Sequence, residues 1–190
     1  MLPRLHIIIC STRPGRICPA IAKWFFNVAV EHKKFETVLI DLADFNLPLY
    51  DEPEHPRLRK YHHEHTKAWS KSVDTADAFV FVTPEYNAGP PPPLVNALNY
   101  VFLEWNYKAA GFVSYGGVSA GLKAVQIEKQ ILTTLKIVPI VEAVMIPMVR
   151  EHFDKEGRFL PNEIHSQSAT VMLNELSRWN NALTTLRALP

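Results

Sequence analysis

The sequence predicts an α/β protein in which helices cover both faces of a five-stranded parallel sheet. Five short apolar segments alternate with segments whose apolar residues recur at helical spacing, an order typical of doubly wound sheets. Residues 79–82 (FVFV) show no polar alternation, as expected for a central strand covered on both faces. Polar loops with glycine or proline follow the first, third and fourth apolar segments, and such sheets bind ligands at the carboxyl ends of their strands.

The positions of the elements follow from the same patterns. The predicted strands are residues 5–10, 35–42, 79–82, 109–114 and 137–149. Helices are expected to begin near Cys18 and near Ile164, to span residues 58–73, to follow the prolines at 90–93, and to begin with Ser119 as N-cap. Proline suits a helix start because its φ is already helical and the first turn leaves its N–H groups unpaired.

Length and composition indicate a single globular domain, residues 1–190. The net charge of +1 provides no basic surface for nucleic acid or anionic lipid. Residues 5–10 are too few for the apolar region of a signal peptide, and no later segment is long enough to cross a membrane. Cys10 and Cys18 form no CxxC motif, and isolated thiols suit a reducing compartment. We therefore expect a cytoplasmic protein without nucleic-acid or membrane partners.

The loop after the first strand, residues 11–16 (STRPGR), has the features of a phosphate site. A strand, a polar loop with one glycine and two arginines, and a helix start follow one another here. Free N–H groups and the positive end of the helix dipole meet at such a position, and Arg13 and Arg16 would add charge-assisted hydrogen bonds. A solvated surface loop is the alternative. Neither a Walker lysine motif nor GxGxxG occurs, which argues against nucleoside triphosphatases and Rossmann dinucleotide-binding proteins.

Two further loops place turn-forming residues at the ends of central strands. Residues 83–89 (TPEYNAG) combine turn formers, an aromatic ring and an amide directly after the third strand. Gly116 and Gly117 end the fourth strand, and glycine lets the backbone approach a flat ligand that any side chain would keep away. A tight turn that needs positive φ would also explain these glycines, and the two explanations are compatible. All three loops are expected to meet at one edge of the sheet.

Three segments carry a resemblance to a known family: residues 83–87 (TPEYN), 96–100 (NALNY) and 114–117 (SYGG). They are similar to segments of the NADPH-dependent FMN reductase family of flavodoxin-like proteins, which includes quinone and azo-dye reductases. The resemblance implies a flavodoxin-like three-layer sandwich with strand order 2-1-3-4-5, FMN as cofactor, NADPH or NADH as electron donor, and a small-molecule electron acceptor. The flavin itself would carry the chemistry, so no catalytic side chain is expected.

The resemblance also implies which residues form the cofactor site. Those that bind the phosphate would be Ser11, Arg13, Arg16, Ile17 and Cys18. Those that line one side of the isoalloxazine ring would be Pro84, Glu85, Tyr86 and Asn87. Those that reach its pyrimidine end would be Ser114, Tyr115, Gly116 and Gly117. Cys10 stands where the family usually has glycine, so a slightly altered exit from the first strand is expected.

Two segments bear on assembly. Members of the family form homodimers with the flavin near the interface, so the resemblance implies a homodimer or tetramer. Residues 43–56 match a family loop that lies near the flavin pocket of a neighbouring subunit, although a loop ordered only by its prolines is an equally good explanation. The aromatic-rich residues 100–107 favour an exposed patch at a subunit contact over a place in the core.

Histidines at positions 62, 63 and 65 raise the possibility of a metal site. On a helix His62 and His65 share a face while His63 points elsewhere, and neither an HExxH motif nor a cysteine partner is present. We therefore favour a solvated or subunit-facing helix over a metal site.

The leading hypothesis is an FMN-dependent NAD(P)H oxidoreductase that reduces quinones, azo compounds or free flavin by ping-pong hydride transfer through flavin N5. One alternative is a flavodoxin-type electron carrier without NAD(P)H activity, but carriers use strong surface charge to steer their partners and the net charge is only +1. Another is a cofactor-free binding protein on the same fold, against which the joint presence of Arg13, Tyr86, Asn87, Gly116 and Gly117 argues.

Overall fold

The computed structural model describes residues 1–188 and forms a parallel sheet with strand order β2-β1-β3-β4-β5, which confirms the predicted topology. The strands are β1 (Arg4–Ile9), β2 (Glu36–Asp41), β3 (Ala78–Pro84), β4 (Ala109–Tyr115) and β5 (Val138–Ile146). The helices are α1 (Cys18–His32), α2 (Glu64–Asp74), α3 (Pro92–Tyr100), α4 (Leu122–Thr134) and α5 (Glu163–Arg187). None of the described helices is both long and apolar enough to span a membrane.

Alternating side chains of the central strand build two cores on opposite faces of the sheet. β3 is buried along its whole length. Val80 and Val82 pack into the core beneath α1 and α5, whereas Phe79 and Phe81 pack into the core beneath α2, α3 and α4. A strand covered on both faces needs an apolar residue at every position, which explains the continuous run FVFV.

The parallel register brings the three predicted loops together at the carboxyl edge of the sheet. Ile9 is aligned with Val82, and Pro84 is aligned with Tyr115. The chain therefore leaves β1, β3 and β4 at neighbouring positions of one edge, as predicted.

The helix predicted over residues 58–73 begins later, because a carboxylate from the preceding loop binds the N–H groups ahead of it. α2 starts at Glu64, and Arg59 has a φ of 51°, which no helix accommodates. The buried Glu52 carboxylate accepts hydrogen bonds from the backbone N–H groups of His62 and His63, at 2.8 and 3.0 Å. Both histidines therefore precede the helix, and the predicted helical face that His62 and His65 share does not exist.

Two further boundaries differ from prediction. α4 begins at Leu122, and its N-cap is Gly121, with a φ of 84°, instead of Ser119. The Ser119 hydroxyl donates to Glu85 Oε1 at 2.9 Å, so it binds a neighbouring loop and does not cap α4. β5 ends at Ile146, because the chain turns back toward β4 beyond it and Met148 adopts a φ of 43°.

Part of the segment 100–107 lies in the core. The prediction of an exposed aromatic patch is therefore wrong for two of its residues. Tyr100 and Trp105 are fully buried. The Trp105 ring meets Trp69 and Phe79 at centroid distances of 5.8 and 4.9 Å, in edge-to-face contacts. The gap between α2 and the sheet is wide enough for the indole, and sequence spacing does not reveal that gap.

A buried carboxyl group joins α4 to the end of β3. Glu128 has no exposed surface, and its Oε1 accepts a hydrogen bond from the Thr83 hydroxyl at 2.6 Å. Its Oε2 has no hydrogen-bond partner among residues 1–188. Burial raises the pKa of Glu128 from 4.5 to about 7, because the ionised form loses its hydration, and the Thr83 hydrogen bond opposes this only in part.

We expect Glu128→Gln to change how stability depends on pH. The pKa of Glu128 is higher in the folded than in the unfolded chain, so at a pH between the two pKa values the native protein binds more protons. The free energy of unfolding therefore falls as pH rises through this range. Glutamine keeps the shape and cannot ionise. The stability of the variant relative to the wild type should therefore rise by about 2 to 3 kcal/mol between about pH 5 and about pH 8. Urea unfolding of both proteins measures this, and parallel pH profiles would contradict it.

Candidate active site

The loop between β1 and α1 presents unpaired backbone donors to solvent. In this loop and at the first residue of α1, the backbone N–H groups of Thr12, Arg13, Gly15, Ile17 and Cys18 have no hydrogen-bond partner among residues 1–188. α1 has neither a capping side chain nor an acidic residue in its first turn. The positive end of the helix dipole is thus uncompensated, and an anion at this position would receive both the dipole and the free N–H groups.

The two arginines of this loop have different roles. Arg16 forms an ion pair with Asp41 at the end of β2, and it also donates to the Ser11 carbonyl at 2.8 Å. It therefore fixes the loop against the sheet. The Arg13 guanidinium is exposed and has no hydrogen bond or ion pair to residues 1–188. Of the two, Arg13 is the one whose charge is available to a ligand.

Two of the predicted phosphate-binding side chains point into the protein. Ser11 is fully buried, and its Oγ lies 2.6 Å from the Tyr86 hydroxyl. The Cys18 thiol donates to the Val82 carbonyl at 3.1 Å, and burial raises its pKa to about 11. The Cys18 side chain is therefore not available to a ligand, while the Ser11 hydroxyl connects the first loop to Tyr86 in the β3–α3 loop.

The β3–α3 loop is a tight turn. Tyr86 and Gly89 exchange two backbone hydrogen bonds of 2.9 Å. The intervening Asn87 and Ala88 both have positive φ, 50° and 61°, as in the two-residue turns of β-hairpins. Asn87 tolerates this conformation, and the turn holds the Tyr86 ring against the cleft.

The Glu85 carboxylate ties the β3–α3 loop to the start of α4. Its oxygens accept hydrogen bonds from the Ser119 hydroxyl at 2.9 Å and from the Lys123 N–H at 3.1 Å. Both oxygens are thus engaged, and Glu85 fixes the distance between two walls of the cleft.

Gly116 and Gly117 follow β4, at the third loop of the site. Neither glycine has a positive φ, so a turn that needs positive φ does not explain them and that alternative is wrong. Their carbonyl groups accept hydrogen bonds from Val149 and Met148, each at 3.0 Å. A Cβ on Gly116 would lie 3.1 Å from the Gly121 nitrogen, whereas a Cβ on Gly117 would meet no atom beyond its chain neighbours within 4 Å. Gly116 is required by the loop itself, and Gly117 faces open space that a ligand can occupy.

The three loops surround one cleft with two connected compartments. The smaller has a volume of about 140 Å³ and is lined by Arg13, Arg16, Ile17, Pro84, Glu85, Tyr86, Tyr115, Gly116, Val149 and Arg150. The larger has a volume of about 560 Å³ and is lined by Arg13, Glu85, Tyr86, Asn87, Pro90 and Pro92. The cationic small compartment suits a phosphate group, and the larger one suits a flat ring system. The compartments share three residues, so one elongated anionic ligand with a planar head can occupy both.

The structure thus brings together most of the predicted site residues. Ser11, Cys18 and Ser114 are buried behind the lining, and the Ser114 hydroxyl has no partner among residues 1–188. Gly117 is exposed and follows the lining residue Gly116, but it lines neither compartment itself. Sequence reasoning missed Val149 and Arg150, because they follow β5 and the motifs were confined to the loops after β1, β3 and β4. No signal in the sequence distinguishes Arg150 from other surface arginines.

The histidines lie outside this cleft. The rings of His63 and His65 stack at a centroid distance of 5.1 Å, and His65 Nε2 lies 3.2 Å from Asp51 Oδ1. Within residues 1–188, no three or more histidine, cysteine, aspartate or glutamate side chains are grouped so as to hold a metal ion.

Comparison with known proteins identifies the family. Residues 3–151 match the sequence model of the NADPH-dependent FMN reductases. The chain belongs to this family. The reductase is 40% identical over 149 residues to an NAD(P)H-dependent FMN reductase of Schizosaccharomyces pombe, with 76% of this chain and 74% of the relative covered. It is 35% identical over 126 residues to an NAD(P)H-dependent FMN reductase of Saccharomyces cerevisiae, with 60% and 65% covered.

Solved structures confirm the predicted fold class. The flavoenzyme NAD(P)H:(acceptor) oxidoreductase FerB of Paracoccus denitrificans superposes with a TM-score of 0.75 at 19% identity, over 95% of this chain and 98% of that one. The reductase is therefore a flavodoxin-like oxidoreductase, with FMN as cofactor and NAD(P)H as electron donor, as the sequence motifs indicated. The free N–H groups, the available Arg13 and the two-compartment cleft fit that cofactor.

We expect Gly117→Val to weaken FMN binding by at least about tenfold without lowering the melting temperature of the cofactor-free protein. The new side chain would enter open space where a flavin can lie, and its Cβ would have no atom beyond its chain neighbours within 4 Å. Fluorescence titration with FMN and thermal unfolding measure the two effects.

Gly121→Ala provides the contrasting variant. Gly121 has a φ of 84°, and its Cβ would lie 2.9 Å from the Ser114 Cβ, so this change should reduce stability directly. Normal FMN affinity of the Gly117→Val protein would contradict the expectation that the flavin lies next to Gly117.

Proposed function

We propose that the reductase passes electrons from NADPH or NADH to a quinone, an azo compound or free flavin in a ping-pong reaction. The observation that carries this proposal is the open cleft at the carboxyl edge of the sheet, whose two compartments share Arg13, Glu85 and Tyr86. A nicotinamide and a flat acceptor that both need the ring-sized compartment must use it in turn, and alternate use gives ping-pong kinetics.

Each wall of the cleft has a distinct task in this proposal. The N–H groups after β1 and the Arg13 guanidinium would bind the FMN phosphate, while Arg16 holds their loop in place. Pro84, Glu85, Tyr86 and Asn87 would line one side of the ring. FMN, when bound, accepts a hydride at N5 and passes the electrons on.

The β4 end would serve the pyrimidine end of the ring. The Gly117 N–H has no hydrogen-bond partner among residues 1–188, so it is available to a carbonyl group of a ligand. Such a donor would stabilise the negative charge that gathers near N1 and the C2 carbonyl on reduction. Burial raises the pKa of Tyr115 far above its ordinary value, so its phenol stays neutral near physiological pH.

We also propose that residues 1–190 act as one cytoplasmic domain that forms a homodimer or tetramer. The Asn96 carboxamide donates to the Pro48 carbonyl at 2.6 Å and accepts from the Tyr50 N–H at 3.0 Å, which fixes the loop between them. On this fixed loop Leu49 is 87% exposed, and an exposed apolar side chain on a rigid loop supports a subunit contact. The free thiols of Cys10 and Cys18 support a reducing compartment.

Two measurements test the proposed reaction. Without oxygen, NADPH or NADH should bleach the visible band of the FMN-loaded protein, and a quinone added afterwards should restore the band. Initial rates at several fixed quinone concentrations should give parallel double-reciprocal lines. Persistence of the band would favour an electron carrier without NAD(P)H activity, and intersecting lines would contradict alternate use of one cleft.

A further inference from the structure

The turn after β5 carries an arginine into the smaller compartment of the cleft. Val149–His152 form a short 3₁₀ helix, and Arg150 lines the compartment together with Arg13, Arg16, Tyr115 and Gly116. The turn is held to the β4 end by the Val149 and Met148 N–H groups, which donate to the carbonyls of Gly116 and Gly117. The backbone of Arg150 is therefore fixed relative to the walls of the cleft.

The Arg150 guanidinium is free to bind a ligand. The side chain is exposed, and it has no hydrogen bond or ion pair to any residue from 1 to 188. Neither nearby acidic group pairs with Arg150. Asp41 pairs with Arg16, and Glu85, which also lines the compartment, accepts hydrogen bonds from the Ser119 hydroxyl and the Lys123 N–H.

Arg13 and Arg150 thus bring two guanidinium groups without an ion-pair partner among residues 1–188 to one small space. They come from different walls, the β1–α1 loop and the turn after β5, and the unpaired N–H groups at the start of α1 add positive potential there. A phosphate monoester carries close to two negative charges at neutral pH, and guanidinium groups bind its oxygens in pairs. Its size also matches the compartment of about 140 Å³, which is too small for a tricyclic ring.

We propose that Arg150 binds the FMN phosphate, opposite Arg13. The assignment rests on the proposed position of the cofactor in this cleft. It makes Arg150 a residue that favours the phosphorylated flavin over riboflavin, because only the phosphate contacts it. An arginine that bound the pyrimidine end instead would affect both flavins equally.

Arg150→Gln and Arg13→Gln test the assignment in titrations with FMN and with riboflavin. Loss of a hydrogen bond to a charged group costs about 1.5 to 3 kcal/mol, so FMN affinity should fall by about 10- to 100-fold in each variant. Riboflavin affinity should change by less than about twofold, since no phosphate is present. Arg150→Lys should restore part of the FMN affinity, because it keeps the charge without the paired geometry.

Arg178→Gln is the matched control. Arg178 is an exposed arginine on α5 that pairs with Glu175, and its removal should leave both affinities unchanged. Unfolding temperatures of all variants without cofactor should equal that of the wild type, which separates a binding defect from a folding defect.

Several outcomes would overturn the assignment. Equal losses for FMN and riboflavin would place Arg150 at the ring, and unchanged FMN affinity with a raised KM for NADPH would place it at the donor. In both cases wild-type FMN binding, and with it the proposed function, would stand. Wild-type protein that bound no FMN would overturn both together.

Discussion

The unpaired N–H groups at the start of α1 are the feature on which the rest of the site depends. A helix whose first turn lacks both a capping side chain and an acidic residue leaves its donors and its dipole for an external anion. Two neighbouring side chains that could cap these N–H groups are bonded to other residues. The Asp41 carboxylate is paired with Arg16, and the Ser11 hydroxyl is turned inward toward Tyr86, so neither side chain caps the helix. At the proposed site, the phosphate of the cofactor would complete a helix that has no side-chain cap of its own.

A set of specific ties holds the three walls of the cleft at fixed distances. Glu85 connects the β3–α3 loop to α4, and the Tyr86 hydroxyl connects the same loop to the end of β1. The backbone bonds from Val149 and Met148 secure the glycines after β4. Behind the sheet, Glu128 holds the Thr83 hydroxyl at the exit of β3. A flavin enzyme needs such rigidity because the protein contributes position and electrostatics, while the cofactor contributes the chemistry.

Much of this arrangement could be predicted from the sequence, because it depends on local chemistry. The apolar run FVFV requires a strand covered on both faces, and the loops after β1, β3 and β4 follow from strand order and turn-forming residues. What could not be predicted depends on partners distant in sequence. The start of α2 is set by Glu52, and the burial of Trp105 depends on a gap between α2 and the sheet. The division of labour between Arg13 and Arg16 depends on Asp41, at the end of another strand.

The same limitation applies to Arg150. Its position in the cleft depends on the hydrogen bonds that hold the chain after β5 to the carbonyl groups of Gly116 and Gly117, and no sequence motif predicts these bonds. A family resemblance built on three loops indicates the cofactor, and the structure adds a fourth segment to the wall of the cleft proposed to bind it.

The most direct test of the central claim is the amide spectrum of isotope-labelled protein recorded by NMR during a titration with FMN. We expect the largest shifts at the N–H groups of Arg13, Gly15, Ile17, Cys18 and Gly117, since these donors are unpaired among residues 1–188 and lie in the segments that would surround the cofactor. Shifts confined to residues elsewhere on the surface, with these signals unmoved, would contradict the claim that the start of α1 binds the cofactor phosphate.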